Sequence, residues 1–222
     1  KKINEKNVNE QMILLRKKNP ELFARFFDTV QTLTGIYLAI SNNKVLNIIS
    51  RLIRANIHEI TLTDVGIRLD VPHDTRNALG WHQDSSYYRQ NNLGKNGVIL
   101  WAPLFKIEKD MGTLQWLRFS HKLGSLNISK KKKKSAFASS KREIDSKYIR
   151  KFKEILENNV SVGDVLLMNP DLVHRSGYNS NKEKVRVTML ARFHNMITND
   201  FNPGYNIYKY SDKRFNSEVH GF

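Results

Sequence analysis

Gly80-Trp81-His82-Gln83-Asp84 is the stretch on which the rest of the chain turns. In an extended strand, residues i and i+2 face the same way, so the imidazole at 82 and the carboxylate at 84 are expected to share one side of the backbone. So placed, they can take two adjacent corners of one metal ion. A second histidine would complete a facial set of two imidazoles and a carboxylate, with the opposite face left open. Taken alone, His-x-Asp is equally well read as a turn or a surface pair. Its meaning depends on what the flanking chain brings to it.

Upstream, Ile67, Leu69 and Val71 alternate with polar residues, the period of a half-buried strand, and Pro72 limits its length. Residues 1–60 read as a helical layer of three helices packed on a sheet. Met12, Ile13, Leu14 and Leu15 form an apolar cluster in the first. Pro20 suits the opening turn of the second, with Leu22, Phe23, Phe26, Phe27, Val30 and Leu33 at helical spacing. The third runs through Val45, Leu46, Ile48, Ile49, Leu52 and Ile53.

Downstream come the aromatic pair Tyr87-Tyr88, a turn-rich segment at 91–97 and two apolar strands, Val98 to Phe105 and Gly112 to Phe119. Residues 125–158 read as an insertion. Lys130 to Lys134 are consecutive lysines, a block that repels itself and is expected to be a solvated loop, and Ile144 to Leu156 has an amphipathic helical pattern through Ile149, Phe152 and Ile155. Strand patterns return at Val165–Asn169, Leu172–Ser176 and Val185–His194. Roughly ten short strands after a helical layer, with no alternation of strand and helix, predict one mainly β domain with α: a β-barrel or jelly roll over 61–124 and 159–200, buttressed by the N-terminal helices.

Composition narrows the chemistry. With no cysteine there is no disulfide, no thiolate metal site and no cysteine nucleophile, so any metal must be held by histidines and carboxylates. The formal charge of +16 gives an anionic substrate a mild preference. The lysines are scattered rather than striped, which reads as solubilising charge and not as a nucleic-acid footprint. No run of eighteen apolar residues occurs, so no membrane span is expected, and the default address is cytoplasmic. The sequence opens on Lys1-Lys2, which leaves room for a processed leader ahead of it.

A candidate for the second histidine is His174, by itself equally well a surface-turn residue, after an apolar strand and the short turn Asn169-Pro170-Asp171, where a barrel can bring a distant strand back toward His82 and Asp84. Further on, Arg186 opens a strand with Thr188 on the same face. A guanidinium fork can bind a carboxylate bidentately, and the hydroxyl can add a hydrogen bond. Ser176 faces the same way as His174 if that strand continues.

This ordered set resembles the phytanoyl-CoA dioxygenase family of Fe(II)/2-oxoglutarate-dependent oxygenases. The matching stretches are Trp81-His82-Gln83-Asp84, Trp101 with its apolar strand, Met111-Gly112-Thr113-Leu114, Ser120-His121-Lys122, Gly163-Asp164, and His174-Arg175-Ser176-Gly177 with Arg186. The resemblance implies a double-stranded β-helix, with iron held by His82, Asp84 and His174 and with 2-oxoglutarate as cosubstrate. Arg186 would grip its far carboxylate, and Ser176 and Trp101 would line its pocket. It also implies hydroxylation of a small organic substrate with release of succinate and CO2. Gln83, Tyr87, Tyr88 and Arg89, which follow the first ligand, become candidates to face that substrate. Two features depart from the family pattern: Arg118-Phe119 ahead of Ser120, and the lysine-rich insertion.

Other classes share parts of this signature. A nucleic-acid or protein oxygenase of the same chemistry would use Arg186 and Arg192 as a pair, and would bind oligonucleotides in a salt-dependent way. A non-catalytic cupin-like module would be expected to have lost a ligand. A zinc hydrolase would have no need of Arg186 and Thr188.

Overall fold

The computed structural model describes residues 4–74, 79–87, 96–129, 142–152, 155–157 and 160–198. Four helices come first: α1 (Glu5–Lys18), α2 (Pro20–Val30), α3 (Thr34–Ile40) and α4 (Asn43–Ile53). Their starts follow from local chemistry. The side chains of Asn4, Asn19 and Asn42 accept hydrogen bonds from the backbone N–H groups of Asn7, Leu22 and Val45, and Pro20 fills the first turn of α2, where no N–H donor is needed. The sequence pattern predicts three helices, and α3 is the addition. It buries Ile36 and Ile40 but leaves Leu38 70% exposed, so its apolar residues do not trace one clean stripe. Among the described residues no helix is long and apolar enough to cross a membrane.

The strands are β1 (Ile60–Asp70), β2 (Gly97–Pro103), β3 (Leu114–Leu117), β4 (Ile155–Glu157), β5 (Leu166–Met168), β6 (His174–Ser176) and β7 (Arg186–Asn195), with a one-turn helix α5 (Ser146–Ile149) between β3 and β4. They form two antiparallel sheets, one in the order β1-β7-β2-β5 and a smaller one in the order β4-β3-β6. The result is a mixed fold of helices and antiparallel sheets.

Strand alternation sorts the large sheet into two faces. Val65, Val98, Leu100, Ala102, Ala191 and Phe193 face the helices and join Ile36, Ile40, Ile49 and Ile53 in the main core. Leu69, Val71 and Val187 pack with Phe23 and Val30 of α2. The opposite face carries Arg186, Leu190 and Arg192 of β7 with Arg68 of β1 and Ile99 and Trp101 of β2, and it looks onto the small sheet. Ile99, Trp101 and Met168 touch Leu114 of β3 across that gap. The space between the sheets is therefore apolar in the middle and charged along β1 and β7.

Two expectations change on contact with the structure. Seven strands are present among the described residues, fewer than the roughly ten short segments that turn-bounded apolar runs suggest. The amphipathic helix expected over Ile144–Leu156 is reduced to the single turn α5. Residues 155–157 instead become an edge strand on β3, because pairing Ile155 with Leu117 satisfies backbone groups that a lone helix end would leave exposed. The lysine run Lys130–Lys134 lies outside the described residues.

Candidate metal and cosubstrate site

His174 begins β6, and the backbone of His82 pairs with it in an isolated antiparallel bridge: His82 N donates to His174 O at 2.9 Å, and His174 N to His82 O at 3.0 Å. Residues directly opposite in such a pair present their side chains on the same face. The two rings meet with centroids 4.2 Å apart. Asp84 is not in a strand, as simple alternation predicts, but opens a 3-10 turn running from Asp84 to Tyr87. The turn brings its carboxylate back under the rings, with Oδ1 3.3 Å from His82 Nε2 and 3.6 Å from His174 Nε2. One ligand atom from each of the three residues lies within 4.8 Å of the other two, and all three residues are buried.

Several contacts fix this geometry. Gln83 is fully buried, and its amide donates to Gly124 O and Asp171 O while accepting from Leu126 N. Gln83, a candidate from sequence to face substrate, here ties the ligand loop to the Asn169–Leu172 turn and to the segment after Ser120. Ser85 Oγ donates to Asp171 Oδ1 at 2.5 Å and its N–H to Pro170 O at 3.1 Å. On the other side, Ser120 Oγ accepts from Val173 N at 2.8 Å and sets the entry to His174. Tyr88 and Arg89 lie outside the described residues, as does the side chain of Tyr87.

The chemistry of the donor set suits a divalent cation. His82 Nδ1 meets Gly80 O at 2.8 Å, and His174 Nδ1 meets Leu172 O at 2.9 Å. A carbonyl only accepts, so each Nδ1 carries the hydrogen, and each Nε2 is left with a lone pair aimed at Asp84 Oδ1. Backbone partners of this kind are what orient metal-ligating histidines. Burial, with the neighbouring charge of His82, pushes His174 down to about 4, so it is a neutral donor at neutral pH. For Asp84, burial works to raise the pKa, but the guanidinium of Arg192, which donates to its Oδ2, holds the carboxyl well below the usual carboxylate range. With both rings neutral, three acceptor atoms converge on one point, an arrangement that a bound cation would satisfy.

Farther along the same inter-sheet space stand the residues expected to hold a cosubstrate. Trp101, Ser176 and Arg186 line it together with the triad, and Ile99, Leu114, Met168 and Leu190 supply apolar walls. Thr188 is 1% exposed, and its hydroxyl has no hydrogen-bond partner among the described residues. Arg186 is differently placed from the expected open fork. Its Nη2 and Nε reach Asp70 Oδ2 at 2.9 and 3.2 Å, and its Nη1 reaches Met111 O and Gly177 O, each at 3.3 Å. Asp70, a residue that sequence reading did not single out, also receives Arg68 Nη2 at 3.0 Å. Its burial is opposed by Arg68 and Arg186, which hold its carboxyl below the ordinary value. Two guanidinium groups and one carboxylate leave this end of the cavity with a net positive charge.

His194, on the same strand as Arg192, is also buried, and that burial, with Arg192 nearby, pushes it down to about 4. For His174 and His194 the unfolded value is the ordinary 6.5. Between 6.5 and about 4 the unfolded chain binds protons that the folded chain refuses, so their contribution is complete above 6.5 and is lost as the pH falls toward 4. The metal-free protein is expected to show a thermal midpoint that drops steeply through that window. His194→Asn should flatten part of the slope, as read by scanning calorimetry at stepped pH.

The family model of phytanoyl-CoA dioxygenase (PhyH) matches residues 2–187, and the chain belongs to this family. No curated protein matches the sequence closely enough to count as a relative. Among solved structures, the non-heme monooxygenase ThoJ in its nickel complex is 13% identical with a TM-score of 0.55, over 85% of this chain and 66% of that one. EvdO2 from Micromonospora carbonacea var. aurantiaca, complexed with 2-oxoglutarate, is 15% identical with a TM-score of 0.55, over 76% of this chain and 67% of that one. The epimerase SnoN, in complex with Fe3+, alpha ketoglutarate and nogalamycin RO, is 14% identical with a TM-score of 0.51, over 71% of this chain and 57% of that one. At such identities the likeness is one of fold, and the chain spans about two thirds of the length of ThoJ.

Proposed function

We propose that this protein is an Fe(II)- and 2-oxoglutarate-dependent dioxygenase that hydroxylates a small organic substrate, anionic by preference. The observation that carries the reading is the layout of one inter-sheet cavity. Three converging acceptors, His82 Nε2, His174 Nε2 and Asp84 Oδ1, share its lining with a buried arginine, and the buried hydroxyl of Thr188 lies on the arginine's strand. Membership of the phytanoyl-CoA dioxygenase family supports it, as does a fold shared with structures that hold 2-oxoglutarate or iron. On this reading the two facing sheets are the halves of a double-stranded β-helix.

Iron, when bound, would supply the dioxygen chemistry: one oxygen atom enters succinate as 2-oxoglutarate loses CO2, and the other enters the substrate as a hydroxyl. The residues of the chain do the rest. His82, Asp84 and His174 hold the metal on one face and leave the other open. Arg186 and Thr188 orient the far carboxylate of the dicarboxylic acid, helped by the positive balance that Arg68 and Arg186 keep against Asp70. Trp101 and Ser176 bound its length. Ile99, Leu114, Met168 and Leu190 exclude water, which strengthens each of these polar contacts.

Anaerobic addition of Fe(II) and then 2-oxoglutarate to the metal-free protein is expected to produce the weak visible charge-transfer band of an iron–2-oxo acid chelate. His174→Ala should lose it. Iron binding without the band in the wild type would leave a metal site of another kind and end this reading.

A further inference from the structure

The register of β1 against β7 changes at one point. Leu62 stands opposite Phe193, and the next pair is Asp64 opposite Arg192, so β1 carries one extra residue between them. In a regular strand, residues 62 and 64 would face the same way. Leu62 packs with the helix-facing core alongside Phe193. The extra residue turns Asp64 to the other side, where it meets Arg192. Bulges of this kind re-aim side chains next to functional sites.

What Asp64 meets is a side chain already committed to the triad. Arg192 Nη1 donates to Asp64 Oδ2 at 2.5 Å, and its Nε donates to Asp84 Oδ2 at 2.8 Å. Both histidine Nε2 atoms face the other oxygen of Asp84, Oδ1. The Arg192 side chain is 15% exposed, that of Asp84 3%, and that of Asp64 42%, so the chain of contacts runs from the protein surface to the ligand set. A planar guanidinium held by two carboxylates on different nitrogens has a fixed plane, which an ammonium group cannot reproduce.

We propose that Asp64, Arg192 and Asp84 form a relay that restricts Asp84 to a single metal-ligating oxygen, Oδ1, with Arg192 as the positioning residue and the β1 bulge as the device that supplies its anchor. The proposal rests on the metal-site reading given above. Its consequence is arithmetical: two imidazole nitrogens and one oxygen leave three positions of an octahedral ion for a bidentate 2-oxo acid and one further ligand. A carboxylate free to swing would take one of them with Oδ2.

The test is an anaerobic titration with Co(II), whose visible absorption reports coordination number and geometry, followed by 2-oxoglutarate. Wild type is compared with Arg192→Met, Arg192→Lys and Asp64→Asn, and calorimetry of each metal-free protein verifies folding. Arg192→Met is expected to change the Co(II) spectrum, to weaken metal binding about 10- to 100-fold, and to weaken 2-oxoglutarate binding to the loaded protein. Arg192→Lys should recover only part of this. Asp64→Asn, at a half-exposed position where folding is retained, should move the spectrum in the same direction by a smaller amount. A merely structural arginine would lower the melting temperature and leave the spectrum of the folded protein unchanged. Folded variants with wild-type spectra and affinities overturn the relay and leave the metal reading standing. A wild type that binds no Co(II) overturns both.

Discussion

Arg186→Met is expected to lower the thermal midpoint by roughly 6–20 °C and to abolish measurable 2-oxoglutarate binding, the largest combined effect of any single change in the site. The stability loss follows from burial. Arg186 and Asp70 are 4% and 5% exposed, and removing the arginine leaves the buried carboxylate with Arg68 alone to balance it, at a cost of up to about 3–5 kcal/mol, the range for breaking a buried ion pair. For a chain of this size each kcal/mol corresponds to about 2–4 °C. Stability and binding can be separated by the double variant Asp70→Asn, Arg186→Met. Replacing both removes the under-compensated buried carboxylate, so part of the lost midpoint should return. Cosubstrate affinity should not return with it. A double variant that binds 2-oxoglutarate as wild type does would show that the carboxylate docks elsewhere.

That pairing also illustrates how far sequence carries. The order His82, Asp84, His174, Arg186 is visible in the chain because each residue type is demanded by the chemistry and sits in a recognisable local setting. The helices α1, α2 and α4 are equally open to reading, through the Met12–Leu15 cluster, Pro20 and the apolar residues at helical spacing from Leu22 and from Val45. Asp70, Arg68 and Arg192 carry no such local mark. Their roles depend on which residue lies across the ladder: Asp70 faces Arg186 and Arg68 faces Thr188 only because β1 and β7 pair in one register. A single extra residue in β1 then decides what Asp64 meets. Periodicity cannot detect a bulge, and it mistook a short edge strand for a helix at Ile155 because the three residues Ile155-Leu156-Glu157 are too few to show either period.

The apposition of two glycines explains how the seat of Arg186 is built. Gly112 follows the 3-10 turn Lys109–Met111 with φ at 71°, a left-handed conformation, and a Cβ placed on it would lie 2.4 Å from Tyr178 O and 2.5 Å from the carbonyl carbon of Gly177. A Cβ on Gly177 would in turn lie 2.6 Å from Thr113 O and 2.7 Å from the carbonyl carbon of Gly112. The two backbones touch, and Gly177 N donates to Thr113 O at 3.0 Å. The carbonyls of Met111 and Gly177 on either side of this contact are the ones that receive Arg186 Nη1. Gly112→Ala is therefore expected to add the left-handed penalty of about 1–2 kcal/mol to about 1–3 kcal/mol of forced backbone displacement. It should also weaken 2-oxoglutarate binding, although no ligand touches position 112. Gly124→Ala supplies the comparison, because Gly124 has φ at 64° and ψ at −158°, a conformation strained for any other residue by about 1–3 kcal/mol, but open space around its Cβ, so it pays for backbone strain without the clash. Thermal scans and 2-oxoglutarate titrations on the pair distinguish the two effects. Equal destabilisation of both variants, with unchanged cosubstrate affinity, would mean that Gly112 serves only its turn and that Arg186 is seated without it.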